Sequence, residues 1–255
     1  MILAVDIGNT NIVLGCIEGR RVVRTFRTVT DRERTAGEYT GTIRDLLAET
    51  GTDLRDLEGA VLSTVVPALA EAVGGAVRAL TGKEPILVST GIRTDMPVLL
   101  DEPAELGADL ICGAVAVIAE YPLPALVIDM GTATTIAVID EGGRYLGGCI
   151  IPGMALSMRA LTSGTAQLPR IPLEAPPGVI GRNTEDCMKS GAIFGTASML
   201  DGMIDRYEEA LGQKCTVVAT GGLAHRVTRH CRRDIVCDED LLLKGLAVLF
   251  EKNAG

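Results

Sequence analysis

Two stretches of this chain pair an acid with a turn of small polar residues. The first is "AVDIGNTNIVLGCIEGRRVV", residues 4–23, and the second is "VIDMGTATTIAVIDEGGRYLGG", residues 127–148. Each has an apolar run, an Asp, a Gly two residues on, a Thr- or Asn-rich turn and a second apolar run. An Asp ending a buried strand puts a carboxylate at the rim of a cleft, and a glycine in the turn lets backbone approach a ligand closely. Successive free N–H groups in such a turn form an anion-binding concavity. The hydroxyls of Thr10, Thr132, Thr134 and Thr135 add donors. Two such turns on facing domains would clamp a polyphosphate and leave Asp6 and Asp129 to hold a cation. The plainer reading makes both acids ordinary strand-end caps.

The likeness extends beyond the turns. Asp6 aligns with Asp129 and Gly8 with Gly131, and thirteen residues past each Asp stands a hairpin glycine, Gly19 or Gly142. A repeat this long is no solenoid unit. It reads as a duplicated domain, with the join near residues 119–124.

The elements around the turns alternate in the manner of an α/β chain. Strands are expected at 2–7, 11–17 and 22–28, then a helix over 34–50 with Tyr39, Ile43, Leu46 and Leu47 on one face. Strand 59–67, a helix to about residue 80, the short strand "PILVST" and a helix over 105–120 complete the first half. The pattern then restarts with strands "PALVIDMG", "TTIAVID" and "YLGGCII". Helices at 154–163 and 184–211, the strand "CTVVATGG" and the closing helix "DLLLKGLAVLFE" follow.

Composition narrows the function. The chain has 255 residues, enough for one large domain or two small ones, and 47% are apolar, so a substantial core is expected. Acids outnumber bases 33 to 24, and a net charge of −9 argues against a nucleic-acid binder, which needs a basic footprint. Small anionic ligands respond to local charge and stay open. The opening "MILAVDIGNT" is too short in its apolar run for a signal peptide, and no stretch of about 18 apolar residues spans a membrane. Seven scattered cysteines, mostly within apolar runs, fit a reduced cytoplasmic protein.

Other residues have two readings. Thr184, followed by Glu185 and Asp186, suits a helix N-cap with acids in the first turn, and a capping Thr also faces an anion site. "VVATGGLAH" is a nucleotide-base loop or a plain strand-to-helix turn, and "GGCIIPG" reads as a buried strand and turn, with Cys149 in the core. His225, His230, Cys231 and Cys237 match no standard zinc spacing, and Arg226, Arg229, Arg232 and Arg233 read as a solvated basic patch. No Walker loop, Rossmann fingerprint or HExxH occurs.

"DIGNTN", "GADL", "DMGTATT", "YLGGCIIPG", "TAQLP" and "GRNTEDCMKSG" occur in that order and together resemble type III pantothenate kinase. The resemblance implies duplicated ribonuclease H-like domains of the actin-like ATPase superfold, each a mixed sheet flanked by helices. It divides the chain into 1–120, with the first phosphate turn and GADL, and 121–255, with the second turn and a dimer interface. It implies ATP-dependent phosphorylation of pantothenate to 4'-phosphopantothenate, the first step of coenzyme A biosynthesis, by a cytoplasmic homodimer without nucleic-acid or membrane partners. ATP would be bound by Asp6, Ile7, Gly8, Asn9, Thr10, Asn11, Ile12, Val13 and Thr132, with Mg²⁺ reached by Asp6 through water. Asp129 would hold K⁺ or ammonium. Gly107, Ala108, Asp109 and Leu110 would line the pantothenate site, with Asp109 as proton acceptor, and Thr184 would contact pantothenate across the dimer interface. Many members carry Arg where this chain has Leu110, so an anchor for the pantothenate carboxylate is missing there. Two alternatives stand beside this reading: a catalytically weak relative acting as a transcription accessory factor, and a kinase of the same fold with another acceptor.

Overall fold

In a computed structural model, which describes residues 1–49 and 51–254, the repeat is visible strand by strand. β1 (Ile2–Ile7), β2 (Asn11–Glu18) and β3 (Arg21–Val29) form an antiparallel meander, and β4 (Gly59–Thr64) and β5 (Ile86–Leu87) add in parallel beyond β1. The order is β3-β2-β1-β4-β5. In the second half β6 (Ala125–Met130), β7 (Ala133–Ile139) and β8 (Tyr145–Pro152) form the meander, with β9 (Thr216–Thr220) and β10 (Val236–Cys237) parallel beyond β6. Its order is β8-β7-β6-β9-β10, the same topology. β1 and β6 are buried except at one half-exposed position each, Asp6 and Asp129. A strand buried on both faces cannot carry an acid in its middle; each acid stands one residue from the strand's end, where the sheet opens to water.

Helices cover the sheets. α1 (Ala36–Glu49) starts in a reciprocal cap: the Glu38 amide donates to Thr35 Oγ1 (3.3 Å) and the Thr35 amide to Glu38 Oε2 (2.8 Å). It buries Tyr39, Ile43 and Leu47, while Leu46 is half-buried; the expected end at residue 50 lies outside the described residues. α2 (Pro67–Thr81) has Pro at its start and left-handed Gly82 at its end. α3 (Ala108–Glu120) begins three residues later than the 105–120 expected, because Pro103–Glu105 forms a separate 3-10 turn and Leu106 is extended. In the second half α4 (Met154–Ser163), α5 (Thr184–Ser190) and α6 (Thr196–Leu211) follow, with a π turn at Gly191–Gly195 dividing the single helix expected over 184–211. α7 (Ala224–Thr228) is short. Among the described residues no helix is long and apolar enough to cross a membrane.

The last helix, α8 (Leu241–Asn253), departs from the division at residue 120. One compact unit comprises Met1–Met96, Asp101–Glu120 and Asp240–Gly255, and the other Pro97–Leu100 and Tyr121–Glu239. Residues 240–254 therefore pack with the first unit, not with the 121–255 expected, while residue 255 lies outside the described residues. The cause is a set of hollows that α8 fills. A Cβ on Gly15 would meet Leu243 at 2.8 Å, and one on Gly59 would meet the Phe250 ring at 2.6 Å. Gly245 lets α8 approach α3 so closely that its own Cβ would sit 2.0 Å from the Cys112 carbonyl oxygen.

Candidate active site

In the first unit, chain reversal after Asp6 takes four residues. Ile7 pairs with Ile12, and the Gly8 amide donates to the Asn11 carbonyl at 3.0 Å. Thr30 buttresses this loop, its Oγ1 donating to the Gly8 carbonyl (2.7 Å) and its amide to the Thr10 carbonyl (3.0 Å). Asn9 and Thr10 are exposed at the tip, where an anion would meet them, while Ile12 is buried under the turn and serves packing.

Asp109 lies in the same unit, in the first turn of α3. Its Oδ1 accepts from the Leu110 amide at 2.8 Å. Burial pushes its carboxyl above the ordinary carboxylate range, and backbone N–H groups only partly oppose this. A carboxylate held dry and raised in pKa is a better base than one in water. The "GADL" glycine has a direct reason: a Cβ on Gly107 would stand 2.6 Å from Asp109 Oδ1 and displace it. Cys112, one turn further along α3, links this acid to the first turn. Its thiol is pushed far up by burial and by the charge of Asp6, with a smaller contribution from Asp109. Both acids thus act on one buried thiol.

The second turn is shorter. Met130 pairs with Thr134, and the Gly131 amide donates to the Ala133 carbonyl at 3.0 Å. Thr132 is exposed at the tip and Thr134 is buried. Bare backbone walls this turn. The Gly153 amide donates to the Thr132 carbonyl (3.1 Å), and a Cβ on Gly153 would meet that oxygen at 2.4 Å and the Gly131 oxygen at 2.5 Å. Gly221, left-handed at φ +93°, abuts Asp129 Oδ1, where a Cβ would stand at 2.7 Å. The two uncertain glycine motifs, "GGCIIPG" and "VVATGGLAH", therefore close on the second turn.

Several expectations need correction. Gly142 lies in the second hairpin loop as expected, but the left-handed glycine there is its neighbour Gly143 (φ +73°). β8 is an edge strand rather than a buried one, with Ile150 75% exposed. Asn183, not Thr184, caps α5, accepting from the Asp186 amide at 2.9 Å; Thr184 is the first helical residue. Arg233 leaves the solvated patch to pair with Glu208 and Asp205.

Thr184 instead borders an apolar groove of about 960 Å³ in the second unit, lined by Met154, Met158, Leu161, Met188 and Met199. Leu156, Leu161, Val179 and Ile180 are exposed in the same unit, Ile180 by 81%. Among the described residues no three His, Cys, Asp or Glu side chains cluster as a metal cage. The acids at the two turns offer oxygen alone, the donor set of a hard cation that keeps its waters.

The sequence model of the type III pantothenate kinase family matches residues 2–206. The type III pantothenate kinase of Moorella thermoacetica is 41% identical over 253 residues, covering 99% of this chain and all of that one. That of Myxococcus xanthus is likewise 41% identical over 253 residues, covering 99% of each. Among solved structures, a Campylobacter jejuni protein described as a Baf family transcriptional activator superposes with a TM-score of 0.61 at 18% identity, covering 99% of each chain. Component A of the Acidaminococcus fermentans (R)-2-hydroxyglutaryl-CoA dehydratase gives 0.58 at 16% identity, covering 97% of this chain and 95% of that one. At such identities these structures speak for the fold alone, two ribonuclease H-like mixed sheets flanked by helices. The similarity in sequence extends over almost the whole chain and carries more: the chain belongs to the type III pantothenate kinase family.

Proposed function

We infer that the protein transfers the γ-phosphoryl group of ATP to the primary hydroxyl of pantothenate, giving 4'-phosphopantothenate for coenzyme A synthesis. The observation that carries this reading is the placement of Asp109. It is half-buried, raised in pKa by that burial, kept in place by a glycine that leaves it room, and shares a compact unit with the Asp6 turn.

Phosphoryl transfer asks a protein for alignment and charge stabilisation more than for covalent chemistry. Asp109 accepts the hydroxyl proton late in a loose transition state and, before that, holds the hydroxyl in line with the phosphorus. Gly107, Ala108 and the Leu110 backbone form the wall beside it. Residues 6–13 bind the first phosphate face through exposed N–H and hydroxyl groups at Asn9 and Thr10, and Thr132 binds at the second turn. Asp6 would hold Mg²⁺ and Asp129 would hold K⁺ or ammonium, and these cations would neutralise charge on the phosphates. Thr184, on the rim of the apolar groove, reaches pantothenate from the partner subunit of a homodimer. The exposed Ile150, Leu156, Leu161 and Ile180, all in the second unit, are apolar surface that such a dimer would cover. The divisions 1–120 and 121–255 then correspond to the catalytic-acid half and the dimerising half, with α8 returned to the former.

ADP release in Mg²⁺ and K⁺ buffer, with pantothenate set against glucose, glycerol and polyphosphate, tests the acceptor. Release with pantothenate alone is expected, and turnover of another acceptor in its place refutes the reading. Replacing K⁺ by Na⁺ should lower the rate; equal rates would remove the cation from Asp129.

A further inference from the structure

The duplication sets a second pair of residues in equivalent places. On the parallel neighbour of each acid-bearing strand, Ser63 stands in register with Asp6 and Thr220 in register with Asp129. In-register residues of adjacent parallel strands project to the same face of the sheet. Both are hydroxyl residues and both are buried, Ser63 to 0% and Thr220 to 2% exposure. Their upstream neighbours on the same strands, Leu62 and Ala219, are apolar, as a buried strand demands.

Ser63 is the more telling of the two. Its Oγ is sealed from water and has no hydrogen-bonding partner among the described residues. A buried unpaired hydroxyl is unfavourable, and alanine would remove the penalty. The thiol of Cys112 lies close enough to feel the hydroxyl but is a weak partner and makes no bond of ordinary geometry. The Gly245 backbone, pressed against the Cys112 carbonyl, fixes the backbone from which that thiol extends. In register with Ser63 on the neighbouring strand, and projecting to the same face, is the Asp6 carboxylate.

We propose that Ser63 is a positioning residue: its hydroxyl donates to the Asp6 carboxylate when a magnesium-bound nucleotide is in place and turns that carboxylate toward the phosphates. The hydroxyl waits unpaired so that Asp6 has a donor behind it at the moment its other oxygen is engaged in front. The proposal rests on the assignment of Asp6 as the acid that reaches Mg²⁺.

The test uses Ser63→Ala, Ser63→Cys and Asp6→Asn in the full chain. Binding of a non-hydrolysable ATP analogue is followed by calorimetry across a Mg²⁺ titration without acceptor, and thermal unfolding is followed without nucleotide. Ser63→Ala should keep or raise the unfolding temperature, yet require more Mg²⁺ and bind the analogue roughly tenfold more weakly, as loss of an outer-shell partner does. Ser63→Cys, a poorer donor of similar size, should fall between. Ser63→Ala with wild-type Mg²⁺ dependence, beside a defective Asp6→Asn, overturns the role of Ser63 alone. Weaker binding with a lowered unfolding temperature and unchanged Mg²⁺ dependence also overturns it, leaving the hydroxyl a packing group. Asp6→Asn binding as the wild type does would overturn the Asp6 assignment itself.

Discussion

The two Asp-x-Gly turns hold the same place in the topology of their sheets and have different surroundings. The first takes four residues to reverse and is held partly by a side chain, the Thr30 hydroxyl on the Gly8 carbonyl, beside the Thr30 amide on the Thr10 carbonyl. The second takes three and is held by backbone, with Gly153 and Gly221 pressed against it. A side-chain support can yield; a backbone wall cannot. The first turn is therefore suited to a loop that adjusts around a ligand, and the second to a fixed platform. The units also differ in what they add: the first a half-buried acid on α3, the second an apolar groove.

The largest effect should come from removing what only the first unit has. Asp109→Asn should lower kcat by roughly 10²–10⁴-fold, the span of general base catalysis. It should also raise thermal stability near neutral pH. The folded pKa of Asp109 lies above its unfolded value, so its contribution is fully favourable below that unfolded value and is lost as pH rises through the folded one. By neutral pH the ionised carboxylate is a burden that Asn lacks. Activity should fall on acidification at a pH above the ordinary Asp range; a flat kcat/KM profile through that range would count against the base role. Gly107→Ala, whose methyl would crowd Asp109 Oδ1, should cost on the order of 10²-fold in kcat, as a misplaced catalytic group does.

The contrast between turns can be broken directly. Gly153→Ala places a methyl 2.4 Å from the Thr132 oxygen, so it should raise the KM for ATP and lower the unfolding temperature together. Gly8→Ala meets only the Asn11 oxygen at 3.1 Å and should be milder in both. Equal penalties at the two positions would remove the distinction between yielding and fixed turns.

The smallest effect concerns stability alone. Glu208, buried on α6, would be raised by desolvation, but Arg233, Lys214 and the Cys215 amide outweigh that and hold it down at about 2. A depressed acid stabilises above its unfolded pKa, and that stability is lost as pH falls toward the folded value. Glu208→Gln should thus unfold more easily than wild type at neutral pH, with the difference closing as the pH approaches 2. A difference that persists unchanged in acid would show that packing, not charge, is responsible.

The repeated Asp-x-Gly turn was enough to locate both meanders, because the alternation of apolar runs and turn residues acts within a few residues. The acids could be placed at strand ends for the same reason. Contacts between distant segments were not legible. Nothing in "DLLLKGLAVLFE" says that Leu243 and Phe250 will fill the space above Gly15 and Gly59, so α8 could not be assigned to the first unit. Equal spacing from Asp6 and Asp129 finds the hairpin glycines Gly19 and Gly142 but not that the left-handed residue of the second, longer loop is Gly143. Whether Asn183 or Thr184 caps α5 depends on where the first helical turn starts, which the local sequence leaves open. Ser63 passed as an ordinary strand residue, since only its register with Asp6 and its sealed hydroxyl single it out.

The most direct test of the central claim is to identify the product by phosphorus NMR after incubating the protein with ATP, Mg²⁺, K⁺ and pantothenate, beside Asp109→Asn. The account predicts a phosphomonoester resonance of 4'-phosphopantothenate from the wild-type protein and none from the variant within the same time. A folded wild-type protein that yields no such resonance, or an Asp109→Asn protein that yields it at the same rate, would contradict it.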